Sequence, residues 1–170
     1  MKNRLFKFMI LLMVSGSLIG QTKEEKQQEK EDQKNVAYEA TKGLIDSGNY
    51  MFSANRISGG ISLATNTGRF IVKDGEVDID LPFFGVVRGS GGYNNNPGIT
   101  YNGVPDKYNV EYIDKKRRAK IKLSVRSGTE HHDITLTVGY GGQTTVNVIS
   151  SARNSIRYSG YLKAIEKGKY

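Results

Sequence analysis

Apolar and polar residues alternate along the last third of the chain. In KIKLSV and its flanks, Ala119, Ile121, Leu123 and Val125 take one parity, and Lys120, Lys122, Ser124 and Arg126 take the other. DITLTV, TTVNVI and SIRYSGYL repeat the pattern, with only short turn sequences between them. Successive side chains of a strand point to opposite faces, so one parity can enter a dry core while the other meets water. Repeated segment after segment, this pattern predicts an antiparallel sheet with one buried face.

The earlier part of the chain divides at Tyr50. Before it, Val36, Ala37, Ala40, Leu44 and Ile45 form an apolar stripe at helical spacing, and Ser47 and Gly48 supply a stop. A helix is expected over roughly residues 24–46, its second half packing on the sheet and its first half fraying or projecting. The segment TKEEKQQEKEDQKN, with few residues able to enter a core, is either a flexible tether or a solvated helix. Its like-charged pairs four residues apart, Glu25 with Glu29 and Lys26 with Lys30, weaken an isolated helix slightly. After Tyr50 the helical period disappears. YMFSANRIS, GISLAT, RFIVKD and EVDIDL read as short strands separated by Gly-Gly, Asn-Thr-Gly and Asp-Gly turn signals. Asp74-Gly75 is the best of these, because tight hairpins need positive φ. Asp114 to Lys116, Ser127-Gly128 and Gly141-Gly142 mark further reversals. Roughly eight to ten strands suit a sandwich or a barrel. The expected fold is therefore mainly β, an antiparallel β-sandwich or barrel-like meander with one N-terminal helix.

The first twenty residues read as an export signal: Lys2, Arg4 and Lys7, then an apolar run from Phe8 to Val14, then Ser15, Ser17 and Gly20 before Gln21. The run is shorter than the roughly 20 apolar residues that span a bilayer. Cleavage after Ser17 has small residues at the right spacing, but the change to polar sequence favours Gly20–Gln21. The expected organisation is a signal peptide over residues 1–20, a charged leader over 21–35, and one β-rich domain over 36–170. About 150 residues bury enough surface for a core without disulfides. The chain contains no cysteine, which excludes disulfides, thiolate metal sites, cysteine nucleophiles and a thioether lipid anchor. The expected product is periplasmic or secreted and soluble, with no membrane span after cleavage.

Charge changes the picture less than it first promises. The formal charge of +8 includes Lys2, Arg4 and Lys7, and losing the signal leaves +5. Much of that excess lies in Lys115, Lys116, Arg117, Arg118, Lys120 and Lys122. Export and the lack of a nucleic-acid module count against nucleic acid as a partner. A solvated turn and outer strand face, or a surface for anionic lipid or polysaccharide, remain.

Three constellations could carry chemistry. The segment PFFGVVRGSGGYNNNPGITYNGVPD, Pro82 to Asp106, holds all three prolines and reads as a mobile loop over one end of the sheet. Its glycines lack the Lys-Ser/Thr ending of a phosphate-binding loop. Phe83, Phe84, Arg88, Tyr93 and Tyr101 are its candidate ligand-binding residues, the alternative being that the aromatics cap the core. Glu76, Asp78 and Asp80 share a strand face opposite Val77, Ile79 and Leu81, with neighbouring carboxylates about 6.6 Å apart. That spacing suits a hard cation or acid/base work on a glycoside. The alternative is an acidic ladder paired with Lys120 or Lys122 across strands. His131 and His132 are the only histidines, and their adjacency sends them to opposite faces, so they do not readily share a metal. Asp133 beside them leaves one as a candidate base, but no nucleophile elbow or zinc-protease motif accompanies them. No metal site and no cofactor are expected.

Taken together, FSANRI, the LPFFG run at Leu81 to Gly85 and the closing SIRYSGYL make the chain after Lys42 resemble the domain of unknown function 4251 family of exported bacterial proteins. The resemblance implies a location in the envelope and a fold, but no activity and no catalytic residues. Many members resemble lipid-anchored proteins, and the missing cysteine keeps that role from this chain. The leading expectation is a non-enzymatic cell-envelope protein that binds a small molecule, a polysaccharide or an envelope protein near the Pro82 to Asp106 loop. The alternatives are a hydrolase of envelope polymers that uses Glu76, Asp78 or Asp80 with help from His131 or His132, and a purely structural assembly module.

Overall fold

The protein is seen in a computed structural model that describes residues 23–64, 68–86 and 98–165. Helix α1 runs over Lys23–Asp46. Ten strands follow among the described residues: β1 Tyr50–Ile57, β2 Ile61–Ser62, β3 Arg69–Lys73, β4 Glu76–Leu81, β5 Ile99–Gly103, β6 Lys107–Ile113, β7 Arg118–Ser127, β8 Glu130–Gly139, β9 Gln143–Ser150 and β10 Ile156–Ala164. A 3-10 turn, Asp114–Lys116, joins β6 to β7. The expected export signal over residues 1–20 lies outside the described residues, as do Arg88 and Tyr93. Among the described residues no helix is long and apolar enough to cross a membrane.

All strand pairings are antiparallel and form one sheet in the order β5-β4-β3-β1-β10-β9-β8-β7-β6, with β2 beside β1. The order explains why the sheet curls. Strands β5 and β6 lie at its two opposite edges, yet only Val104 to Asp106 separate them in sequence. Four Cα steps reach roughly 14 Å at most, whereas nine strands laid flat would set the edges about 38 Å apart. The edges must therefore meet at this link, and the sheet forms a curled half-barrel. The Tyr50 and Tyr108 hydroxyls meet at 2.5 Å, joining β1 in the middle of the sheet to β6 at its edge.

The alternating parity fills the inside of the curl. Phe52, Phe70, Ile79, Leu81, Ile121, Leu123, Ile134, Leu136, Val146, Val148 and Tyr158 are buried in one hydrophobic cluster. Strand β7 shows the pattern in full, with Ala119, Ile121, Leu123 and Val125 buried and the intervening residues facing outward. Turns form where positive φ is available: Asp74 and Gly75 at 51° and 86°, Gly128 at 60° and Gly142 at 78°. The two-residue Asp74-Gly75 turn sets the β3–β4 register, placing Lys73 against Glu76 and Arg69 against Asp80.

Contacts divide the described chain at Gln33–Lys34. In the first part, Gln28 donates to Asp32 at 3.0 Å and Gln33 to Glu29 at 3.4 Å, so amide–carboxylate pairs stand between the like-charged ones. In the second part the buried stripe of α1 differs from the expected one. Val36 is 71% exposed and Ala40 is exposed, while Tyr38, Thr41 and Ile45 are buried. The polar groups decide this: Tyr38 donates to Asp114 at 2.8 Å, and Thr41 lies within hydrogen-bonding distance of the Tyr140 carbonyl at 2.9 Å. The Tyr112 hydroxyl donates to Asp46, and the Lys42 ammonium lies 5.3–5.4 Å from the Tyr38 and Tyr112 rings. Burial and the neighbouring Asp114 push the Tyr38 hydroxyl up to about 12.

Two strand expectations change. The described residues of GISLAT form only the two-residue β2. The Pro82 to Asp106 segment is not irregular throughout, since β5 arises inside it. Ile99, Thr100 and Tyr101 are good strand residues whose signal the flanking Gly, Asn and Pro obscure.

A bulge on β1 falls between Ala54 and Arg56, opposite Gly160 on β10. A Cβ on Gly160 would stand 2.0 Å from the Ser53 carbonyl oxygen. Gly160→Ala is therefore expected to destabilise the fold by about 1–3 kcal/mol in urea titration. Gly43, helical with open space around it, is expected to gain about 0.5–1 kcal/mol on replacement by Ala.

Candidate functional site

The link from β5 to β6 leaves a notch in the curl. β6 begins opposite Ser124, so the last residues of β7 extend past its pairing. A cleft of ≈ 640 Å³ opens there, between the outer faces of β3–β5 and the β7–β8 turn. Arg69, Asp78, Asp80, Thr100, Tyr101, Asn102, Arg126, Ser127 and Gly128 line it. Most are outward-parity residues whose alternate neighbours, Val77, Ile79, Leu81 and Ile99, are buried and hold the strands in place. Arg69 Nη2 lies 3.5 Å from Asp78 Oδ2, a diagonal ion pair, since the hairpin register sets Arg69 directly opposite Asp80. The cleft thus presents two guanidinium groups, two carboxylates, hydroxyls and an amide on a rigid sheet.

The acidic face of β4 is as expected, with Glu76, Asp78 and Asp80 opposite buried Val77, Ile79 and Leu81. Its partners are not. Asp78 pairs with Arg69, while Lys122 reaches Glu111 at 3.9 Å. Strands β4 and β7 are not neighbours in the sheet, and the Lys122 ammonium is engaged by Glu111 on β6 instead. Among the aromatics, Phe83 is buried in the core with the Arg153 guanidinium 5.1 Å from its ring, and Phe84 is 58% exposed. Tyr101 is the described member of that set that lines the cleft, its hydroxyl donating to the Val104 carbonyl at 2.5 Å.

The two histidines do face opposite ways. His131 stands outside, 3.3 Å from Asp133, which also accepts from Ser124 at 2.6 Å. Asp133 sits between them, so the serine donates to the acid and no histidine activates it. His132 points inward and is only 2% exposed, with Nε2 3.9 Å from Glu130. Arg153 donates to both oxygens of Glu130 at 2.8 and 3.1 Å, and Ser150 also donates to it. Among the described residues neither histidine makes a hydrogen bond or ion pair with Asp78 or Asp80, and no three metal-ligating side chains gather where they could hold an ion.

Comparison with known proteins agrees with this architecture. Residues 26–162 match the family described as Domain of unknown function (DUF4251). The chain belongs to that family. A crystal structure of a DUF4251 family protein from Bacteroides eggerthii is similar at a TM-score of 0.59 and 21% identity, covering 76% of this chain and 89% of that one. That likeness shows the fold. No curated protein matches the chain.

Within this DUF4251 chain, the cleft residues that sequence reasoning missed divide into two kinds. Arg69 was within reach, since a two-residue Asp74-Gly75 hairpin already pairs it with Asp80. Arg126, Ser127, Thr100 and Asn102 were not, because only the closure between β5 and β6 brings them to β4. The Glu130–Arg153 pair was equally hidden, Arg153 lying in the β9–β10 connection.

Burial holds the His132 imidazole below the ordinary histidine range, against the opposing pull of Glu130. Burial alone would raise the Glu130 carboxyl, but hydrogen bonds from Arg153 and Ser150 bring it below its usual value. An unfolded His132 takes up its proton near pH 6.5 while the folded one resists. The stability is therefore complete above that value and lost as pH falls below it. Thermal melts from pH 7.5 to 5 are expected to show this loss, and His132→Phe is expected to flatten the slope.

Proposed function

We propose that this protein is an exported, non-enzymatic binding protein of the cell envelope, with its ligand site in the cleft between β4–β5 and the β7–β8 turn. The observation that carries the proposal is the lining of that cleft. Arg69 and Arg126 supply planar donors, Asp78 and Asp80 supply acceptors, and Thr100, Asn102 and Ser127 supply groups of both kinds. Such a mixed surface suits a small polar molecule, or the end of a polymer, that carries several hydroxyl or ionised groups. The rigid strands beneath it favour binding, because little order is lost when the ligand arrives. Export is supported by the basic and then apolar start, Met1 to Gly20. The Pro82 to Asp106 segment keeps its part through Tyr101.

Catalysis is the second reading, favoured by the presence of both Asp78 and Asp80 in one cleft. Against it, Asp78 is held by Arg69 in an open, water-accessible position, without the dry surroundings that raise a carboxyl toward a general acid.

Native mass spectrometry of the protein purified from its own periplasm is expected to find a retained polar small molecule. Arg126→Ala combined with Asp78→Asn is expected to weaken its binding at least tenfold while changing stability by less than about 1 kcal/mol, as for exposed substitutions. Unchanged retention in that variant would remove the cleft from consideration. Turnover of a glycan or ester that Asp78→Asn abolishes would establish the hydrolase instead.

A further inference from the structure

The outer face of β7 carries Arg118, Lys120 and Lys122 at alternate positions, with Lys115 and Lys116 on the preceding turn. Alternate strand residues stand about 6.6 Å apart, so Arg118, Lys120 and Lys122 form a row along one strand, and the two turn lysines lie at its start. The row is weakly neutralised. Glu111, on neighbouring β6, reaches Lys122 at 3.9 Å with both side chains about half exposed. Asp114 is engaged by Tyr38 and Lys42, and Asp133 by Ser124 and His131. No acid lies within ion-pair distance of Lys115, Lys116, Arg118 or Lys120 among the described residues.

A second row runs beside the first. The register sets Lys120 against Thr137 and Lys122 against Thr135 on β8, and those against Thr145 and Asn147 on β9. All four share the outward parity, since Ile134, Leu136, Val146 and Val148 are buried. Neighbouring strands are about 4.8 Å apart, so the cations adjoin a grid of hydroxyl and amide groups on the outer face of the curl.

We propose that this face of β7–β9 binds an anionic polysaccharide, its carboxylate or sulfate groups on the basic row and its sugar hydroxyls on the Thr/Asn grid. Charge complementarity selects an acidic polymer, and a row of cations along a single strand fits a linear one. The adjoining hydroxyl and amide groups distinguish a sugar chain from a lipid surface, which would need cations alone or an apolar anchor. The proposal stands without the cleft, because Arg118, Lys120, Thr135 and Thr137 do not line it.

The test uses the full exported protein, with polygalacturonate as the acidic probe, dextran as its neutral counterpart, and vesicles of phosphatidylglycerol and phosphatidylcholine. Polygalacturonate is expected to bind, more weakly as salt rises from 50 to 300 mM, and dextran is not. Arg118→Glu with Lys120→Glu is expected to weaken binding at least tenfold, and Lys115→Glu with Lys116→Glu serves as the second reversal should the first impair folding. Thr135→Val with Thr137→Val is expected to weaken it about threefold or more at an unchanged salt slope. Undiminished binding after charge reversal would overturn the proposal. So would vesicle binding without polygalacturonate binding, which would assign the face to lipid, or an unaffected threonine variant, which would reduce the interaction to charge alone.

Discussion

The short link between β5 and β6 is the constraint on which the rest depends. Two strands at opposite edges of the sheet are held together by three residues, and a flat sheet cannot satisfy that connection. Curling then gives every strand an inside and an outside. The inside becomes a single dry cluster, and the hydrophobic effect acting on it is the main stabilising force. The outside carries the polar parity, and the site where the edges meet without pairing becomes the cleft.

Much of the fold was legible in the sequence because strand periodicity is a local property. The parity of β7 to β10 follows from the residues alone, and so does the opposition of Glu76, Asp78 and Asp80 to Val77, Ile79 and Leu81. The positive φ at Asp74 and Gly75 follows from that dipeptide. The extent of α1 was legible too, but its buried face was not. Val36 looks like a core residue by hydropathy, yet Tyr38 and Thr41 are turned inward by hydrogen bonds to Asp114 and Tyr140, residues more than seventy positions away. Such long-range partners leave no mark in a helical period.

The same distinction governs the candidate site. The carboxylates of β4 were readable, and counting the hairpin register brings Arg69 to their face, opposite Asp80, although its ion pair forms diagonally with Asp78. Arg126 enters only through the closure of the curl, which no local pattern encodes. The aromatic segment divided as well: Phe83 serves the core beneath Arg153, and Tyr101 serves the cleft wall. Chemistry on this scaffold is thus assembled by topology, with interior packing fixing the strands and outward positions left free to carry polar groups.

The absence of cysteine makes a direct distance measurement simple. Spin labels on Asp80→Cys and Ser127→Cys, read by double electron–electron resonance, report whether β4 and the end of β7 face each other across the cleft. A separation below about 20 Å is expected for the curled sheet, with one narrow distribution, whereas six strand spacings laid flat give about 29 Å. A distribution centred at that longer value would contradict the closure, and with it the cleft.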